Sequence, residues 1–123
     1  MKTEQRQWSS ANGWATKTNN NISQTAGLVF VFGGRHALSD AARYNEIKTF
    51  YPNAHIVCST TSGEIIDVEV HDDTLVLTAV EFENTKLKFN KLHINESVDS
   101  YKAGQQLVKD LISDDLVHVF VQP

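Results

Sequence analysis

Two apolar runs with one helical stripe between them restrict this chain more than any other feature. The first, Gly27-Leu28-Val29-Phe30-Val31-Phe32, carries no polar side chain and is closed by Gly33-Gly34. Such a run reads as a strand buried on both faces, the type found in parallel sheets. The second, Ala54 to Cys58, reads as another strand. Between them, Ser39 suits an N-cap and Asp40 suits the positive end of a helix dipole. Ala41, Tyr44, Ile47, Phe50 and Tyr51 then fall at helical spacing, and Pro52-Asn53 stops the helix. Strand, helix and strand within about thirty residues make a βαβ unit, expected to be parallel and right-handed.

Further on the texture changes. Ile65 to Val70 alternates, His71-Asp72-Asp73 turns, Thr74 to Phe82 is a long apolar strand, and Glu83-Asn84 turns again into Thr85 to Ile94. The pattern predicts an antiparallel three-stranded meander. A phase shift between Leu87/Phe89 and Leu92/Ile94 predicts a bulge near Asn90-Lys91. Ser97 to Ile112 has a helical stripe, Ser113-Asp114-Asp115 breaks it, and Leu116 to Val121 reads as a buried strand. The expected fold class is α/β: a mixed sheet built from the βαβ unit, the meander and a second helix-strand unit. A chain that stops directly after such a strand reads as a fragment of a longer protein.

The first 25 residues are the hardest to read. They suggest a short strand at Glu4 to Ser9 and a short helix at Gly13 to Asn20. Trp8 and Trp14 carry too much apolar area for so polar a stretch to stay in water, so residues 1–25 read as a segment docked on the body. At 123 residues the whole chain fits one domain. Its 11 Lys and Arg are scattered and its net charge is −4, which argues against nucleic acid as a partner. No apolar run approaches the roughly 20 residues of a membrane span, and no apolar leader follows Met1. The single cysteine excludes an internal disulfide, and the plain reading is a reduced, cytoplasmic protein.

The binding site is expected at Cys58-Ser59-Thr60-Thr61-Ser62-Gly63-Glu64. Four hydroxyls, a glycine and a carboxylate at a strand end favour turns and ligand contact over core packing. Loops that follow parallel strands leave from one sheet edge, so Gly33-Gly34-Arg35-His36 should lie near Ser59 to Glu64. Arg35 would clamp a carboxylate and Glu64 would receive an ammonium, a set suited to an amino acid. Each has a plainer alternative. Glu64 serves equally as a cap, Arg35 and His36 as solvated loop residues, and Gly33-Gly34 as a turn without the full phosphate-loop pattern.

Cys58 ends an apolar strand, where a cysteine usually acts as a small hydrophobe. No nucleophile signature surrounds it, so the expectation is a protein that is not an enzyme, with a cysteine-dependent hydrolase as the alternative. His36, His55, His71, His93 and His118 show no metal-binding spacing. One imidazole alone would serve as an axial haem ligand.

The run Tyr51-Pro52-Asn53-Ala54-His55-Ile56-Val57-Cys58-Ser59-Thr60-Thr61-Ser62-Gly63-Glu64-Ile65 resembles the signature loop of the FIST domain family. That family's loop follows a proline-containing helix stop and reads Gly-Cys-Ser/Thr-Thr-Ala-Gly-Glu-Ile. The apolar strand upstream and Asp72-Asp73 before Leu75 to Ala79 also match. Val57 stands where glycine is common, and Thr61-Ser62 replaces Thr-Ala. The resemblance spans roughly Ala26 to Val121, making 26–123 a FIST N-terminal-like domain, and relatives continue into a second domain. It implies a sensory module of signal transduction that recognises small molecules such as amino acids; together with the loop reading above, the expected ligand-binding residues are Arg35, Ser59, Thr60, Thr61, Ser62, Gly63 and Glu64. It also implies a possible haem cofactor with nitric-oxide sensing, and a histidine kinase or cyclic-di-GMP enzyme as partner.

Overall fold

A computed structural model describes residues 1–93, 95 and 99–122. They divide into two units, the larger built from Met1–Thr85 and the smaller from Lys86–Val121. The larger contains strands β1 (Lys2–Ser9), β2 (Gly13–Thr18) and β3 (Leu28–Gly33), helices α1 (Arg35–Ser39) and α2 (Ala41–Phe50), then β4 (His55–Thr60), β5 (Glu64–Ile66), β6 (Glu69–His71) and β7 (Leu75–Glu81). Five strands form a mixed sheet in the order β2-β1-β7-β3-β4, and β5 pairs with β6 in a separate two-stranded ladder. Among the described strands only β3 and β4 pair in parallel, as the βαβ pattern requires. The fold class is α/β.

Register explains the core. Glu4, Ala79, Val29 and Ile56 lie side by side across β1, β7, β3 and β4. Arg6, Leu77, Val31 and Cys58 make the next row; Trp8, Leu75, Gly33 and Thr60 make the third. Successive strand residues alternate faces, so all three rows share one face of the sheet. Val29, Val31, Leu75, Leu77 and Ala79 are buried there in one cluster with Ile47, Tyr51 and Ile22.

Several sequence-based expectations give way. Residues 13–18 form a strand, not a helix. Gly13 takes φ +66°, closing a three-residue hairpin loop against Ser9, and Trp14 and Thr16 alternate with Ala15 and Lys17. Helix formation begins at Arg35, before Ser39. Ser39 Oγ donates to Arg35 O (2.7 Å), and Asp40 is the cap of α2, its Oδ1 accepting from Ala42 N (2.9 Å).

The meander is not built. β7 lies between β1 and β3, so both its backbone edges are occupied and neither β6 nor the chain after Asn84 can pair with it. Residues 85–93 form no strand and hence no ladder bulge; instead Asn90 Oδ1 accepts from Lys91 N (2.9 Å). The expected strand end Ile94 and helix start Ser97 lie outside the described residues.

In the smaller unit, α3 (Ser100–Lys109) is capped by Asp99, whose Oδ1 accepts from Lys102 N (2.7 Å). Residues 116–121 are not a strand: no other strand is described in that unit to pair with them, and Val117 is 95% exposed. No helix among the described residues is long and apolar enough to cross a membrane.

The N-terminal hairpin is tied to α2 by aromatic and charged contacts. The Trp14 ring meets Phe50 edge-on at 5.6 Å, and its Nε1 donates to Glu46 Oε2 (2.6 Å). The Arg43 guanidinium lies 4.7 Å from the Trp8 ring centre, and that of Arg6 lies 4.4 Å from the centre of Phe50. Beneath them Glu4 is fully buried, its Oε1 accepting from Tyr51 Oη (2.7 Å) and Arg6 Nη2 (2.9 Å). Burial alone would raise the Glu4 carboxyl, but the Tyr51 and Arg6 hydrogen bonds overcome it and hold the group below the usual glutamate range. Burial, then the Glu4 contact, pushes the Tyr51 phenol up to about 12.

The signs follow from linkage. A depressed carboxyl adds stability above its unfolded pKa, lost as pH falls through the folded value. A raised phenol adds stability below about 10, lost as pH climbs towards about 12. Urea midpoints should therefore plateau between these limits and fall on both sides, and in Tyr51→Phe the alkaline fall should flatten.

Candidate functional site at the strand ends

Four segments meet where β3 and β4 end. Thr61 N donates to Gly33 O and Gly34 N donates to Thr74 O, both at 3.0 Å, joining the loop after β4, the loop after β3 and the entry to β7. Glu64, the first residue of β5, completes the junction. It is 2% exposed; its Oε1 accepts from Thr61 Oγ1 (2.7 Å), and its Oε2 accepts from Thr74 N (3.0 Å) and Thr74 Oγ1 (2.9 Å). A carboxylate withdrawn from water is tolerated only with such donors around it. Here they hold two loops in one conformation.

The other expected residues divide by position. Ser59 and Thr60 belong to β4 itself, opposite Phe32 and Gly33, so the loop proper is Thr61-Ser62-Gly63. Thr60 and Ser62 are exposed, and Ser59 and Thr61 are half-buried. Arg35 opens α1 at the same sheet edge, exposed, with no side-chain bond or ion pair among the described residues. Thr74 was not legible as a site residue. It opens an apolar run and reads as the start of a strand, and only the fold brings its two donors to Glu64.

Replacing Glu64 with glutamine puts an amide N–H2 where an acceptor is needed. Turned towards Thr74, the amide sets a buried donor against Thr74 N–H; turned towards Thr61, it keeps both Thr74 bonds as neutral ones and the Thr61 hydroxyl must reverse to accept. Glu64→Gln should destabilise by about 1 kcal/mol or more, the loss of charge-assisted bonding, read as a lower urea midpoint.

Residues 27–123 match the FIST N domain. This chain belongs to the FIST family. No curated relative and no solved structure matches it. FIST domains are a sensory family associated with signalling. The match begins after β1 and β2, so two of the five strands of this FIST domain's sheet, with Glu4 and Arg6, come from residues that precede it.

Cys58 is exposed on β4, an outer strand of the sheet, and not buried as its apolar surroundings led one to expect. Partial desolvation pushes its thiol up, away from the thiolate that a nucleophile needs. The histidines are spread over separate elements. His36, His55, His93 and His118 are exposed, and His71 Nε2 lies 3.0 Å from Glu69 Oε2. Neither of two clefts among the described residues, one along α3 and one between β1–β2 and β5–β6, has a histidine in its wall.

Proposed function

We propose that this FIST domain is a non-enzymatic, cytoplasmic sensory module that reads a small polar, amino-acid-like ligand at the strand-end loops. One observation carries the reading: a buried carboxylate is devoted to fixing the hydroxyl-rich loop rather than to solvent. Preorganisation of that kind lowers the entropy lost when a ligand binds. Glu64 and Thr61 set the loop's shape, and Gly63 contributes its backbone. Arg35 supplies the cation for a ligand carboxylate, while Ser59, Thr60, Ser62 and the loop backbone supply hydrogen bonds. Glu64 thus acts on the ligand through the loop, in place of the direct ammonium contact expected from its charge alone. The signal passes to a partner such as a histidine kinase or a cyclic-di-GMP enzyme.

Calorimetry with the common amino acids tests the reading. Arg35→Ala should weaken the bound amino acid about tenfold or more, the worth of one charge-assisted hydrogen bond, with no change in the urea midpoint. Affinity untouched by both Arg35→Ala and Ser62→Ala would remove the ligand from this edge. Reconstitution with haem should give no histidine-dependent Soret band, and Cys58 should alkylate appreciably only at alkaline pH.

A further inference from the structure

A second cleft, of about 390 Å3, opens between the N-terminal hairpin and the β5–β6 hairpin. Its volume falls within the roughly 300–1,000 Å3 of small-molecule sites. Gln5, Lys17 and Thr18 line one side, and Ile66, Asp67 and Glu69 the other. The strands present these groups through local irregularities. A register shift between Gln5 and Arg6 sets Thr18 opposite Gln5 and Thr16 opposite Arg6, leaving Lys17 as the extra residue of a bulge. Bulges re-aim side chains in this way. Asp67 occupies the turn between β5 and β6 at φ +56°, where glycine would sit without strain and aspartate adds a charge.

The charges are arranged for something between them. Lys17 and Asp67 line one cleft yet form no ion pair, with each other or with any other described residue. Glu69 is engaged with His71 (3.0 Å). Gln5 Nε2 donates to Thr78 Oγ1 (3.2 Å), which leaves its carbonyl oxygen as an acceptor. A simple anion would meet two carboxylates, and a simple cation would meet the lysine. A molecule bearing both charges satisfies each at once.

We infer that this cleft binds a small zwitterion, its carboxylate on Lys17 and its ammonium on Asp67, with Gln5 and Thr18 as hydrogen-bonding partners. Half the wall comes from residues that precede the family match, so the site belongs to the N-terminal hairpin of this chain rather than to the matched domain alone. It shares no residue with the strand-end site and does not rest on that reading.

The test is calorimetry on the full chain with glycine, β-alanine and 4-aminobutyrate, which separate the two charges by increasing lengths. Acetate and methylammonium serve as half-ligands. At least one zwitterion should bind with Kd near or below about 1 mM, and both half-ligands should bind at least about tenfold more weakly. Lys17→Gln and Asp67→Asn should each weaken the zwitterion about tenfold or more, while Lys86→Gln, at an exposed position outside both sites, leaves it unchanged. Both changes are at exposed positions, asparagine tolerates positive φ, and unaltered thermal melts without ligand will show that the variants fold. Three results would overturn the inference: no zwitterion binding, half-ligands binding as tightly, or binding that survives both substitutions. If the bound zwitterion is lost in Arg35→Ala and kept in both cleft variants, the cleft is excluded and the strand-end site stands.

Discussion

A chain that starts at Ala26 is expected to lose cooperative unfolding altogether. That start lies within one residue of where the family match begins, so it is the natural place to trim. Trimming there removes β1, which pairs with β7 from Lys2↔Glu81 to Trp8↔Leu75, and turns β7 into an open edge. It also removes Ile22, fully buried in the core cluster, and uncovers the face beneath Trp8 and Trp14. Loss of Ile22 alone costs about 2–5 kcal/mol by analogy with large-to-small core changes. Adding both tryptophans and a whole ladder exceeds the roughly 5–15 kcal/mol that holds a domain together. Circular dichroism against urea should show a broad, uncooperative slope for the trimmed chain and a sigmoid for the intact one. A sigmoid with an undiminished midpoint would mean that the hairpin is an appendage.

Gly33→Ala is expected to be the most damaging single substitution at the site. In the third row of the sheet Gly33 faces Leu75, and a Cβ there would lie 2.2 Å from Leu75 Cδ2 and 2.6 Å from Thr74 O. Leu75 is fully buried and the carbonyl is backbone, so neither can step aside cheaply. Overpacking in a close-packed interior costs about 1–3 kcal/mol and sometimes more. Here the upper end is expected, because the displaced carbonyl is also the acceptor for Gly34 N. Gly63→Ala is the matched control. Its added Cβ would meet nothing closer than Val70 Cγ1 at 3.5 Å, and its urea midpoint should barely move.

The βαβ core was legible because periodicity and β-branching report burial directly. Val29, Val31 and Ile47 are buried where the pattern placed them. The convergence of Gly33 with Thr61 followed from the parallel pairing of β3 and β4, a rule of topology that needs no coordinates. What failed depended on partners distant in sequence. Nothing in Thr74 to Phe82 says that β1 will occupy its edge, yet that pairing abolishes the meander. Asn12-Gly13 is a hairpin signal, and the short helix read from Gly13 to Asn20 passes over it. At the site, the carboxylate of Glu64 was visible but its orientation was not. Whether such a group faces ligand or scaffold depends on donors that only the folded chain assembles.

That the loops fixed by Glu64 form the wall of a ligand site is our proposal. It is tested most directly by titrating the intact, isotope-labelled chain with each common amino acid and following its amide resonances. Saturable shifts are expected at Gly33 to Arg35 and at Thr60 to Gly63 for at least one ligand, reduced in Arg35→Ala. Saturation that leaves all of those amides unmoved, or that moves only those around Lys17 and Asp67, would contradict it.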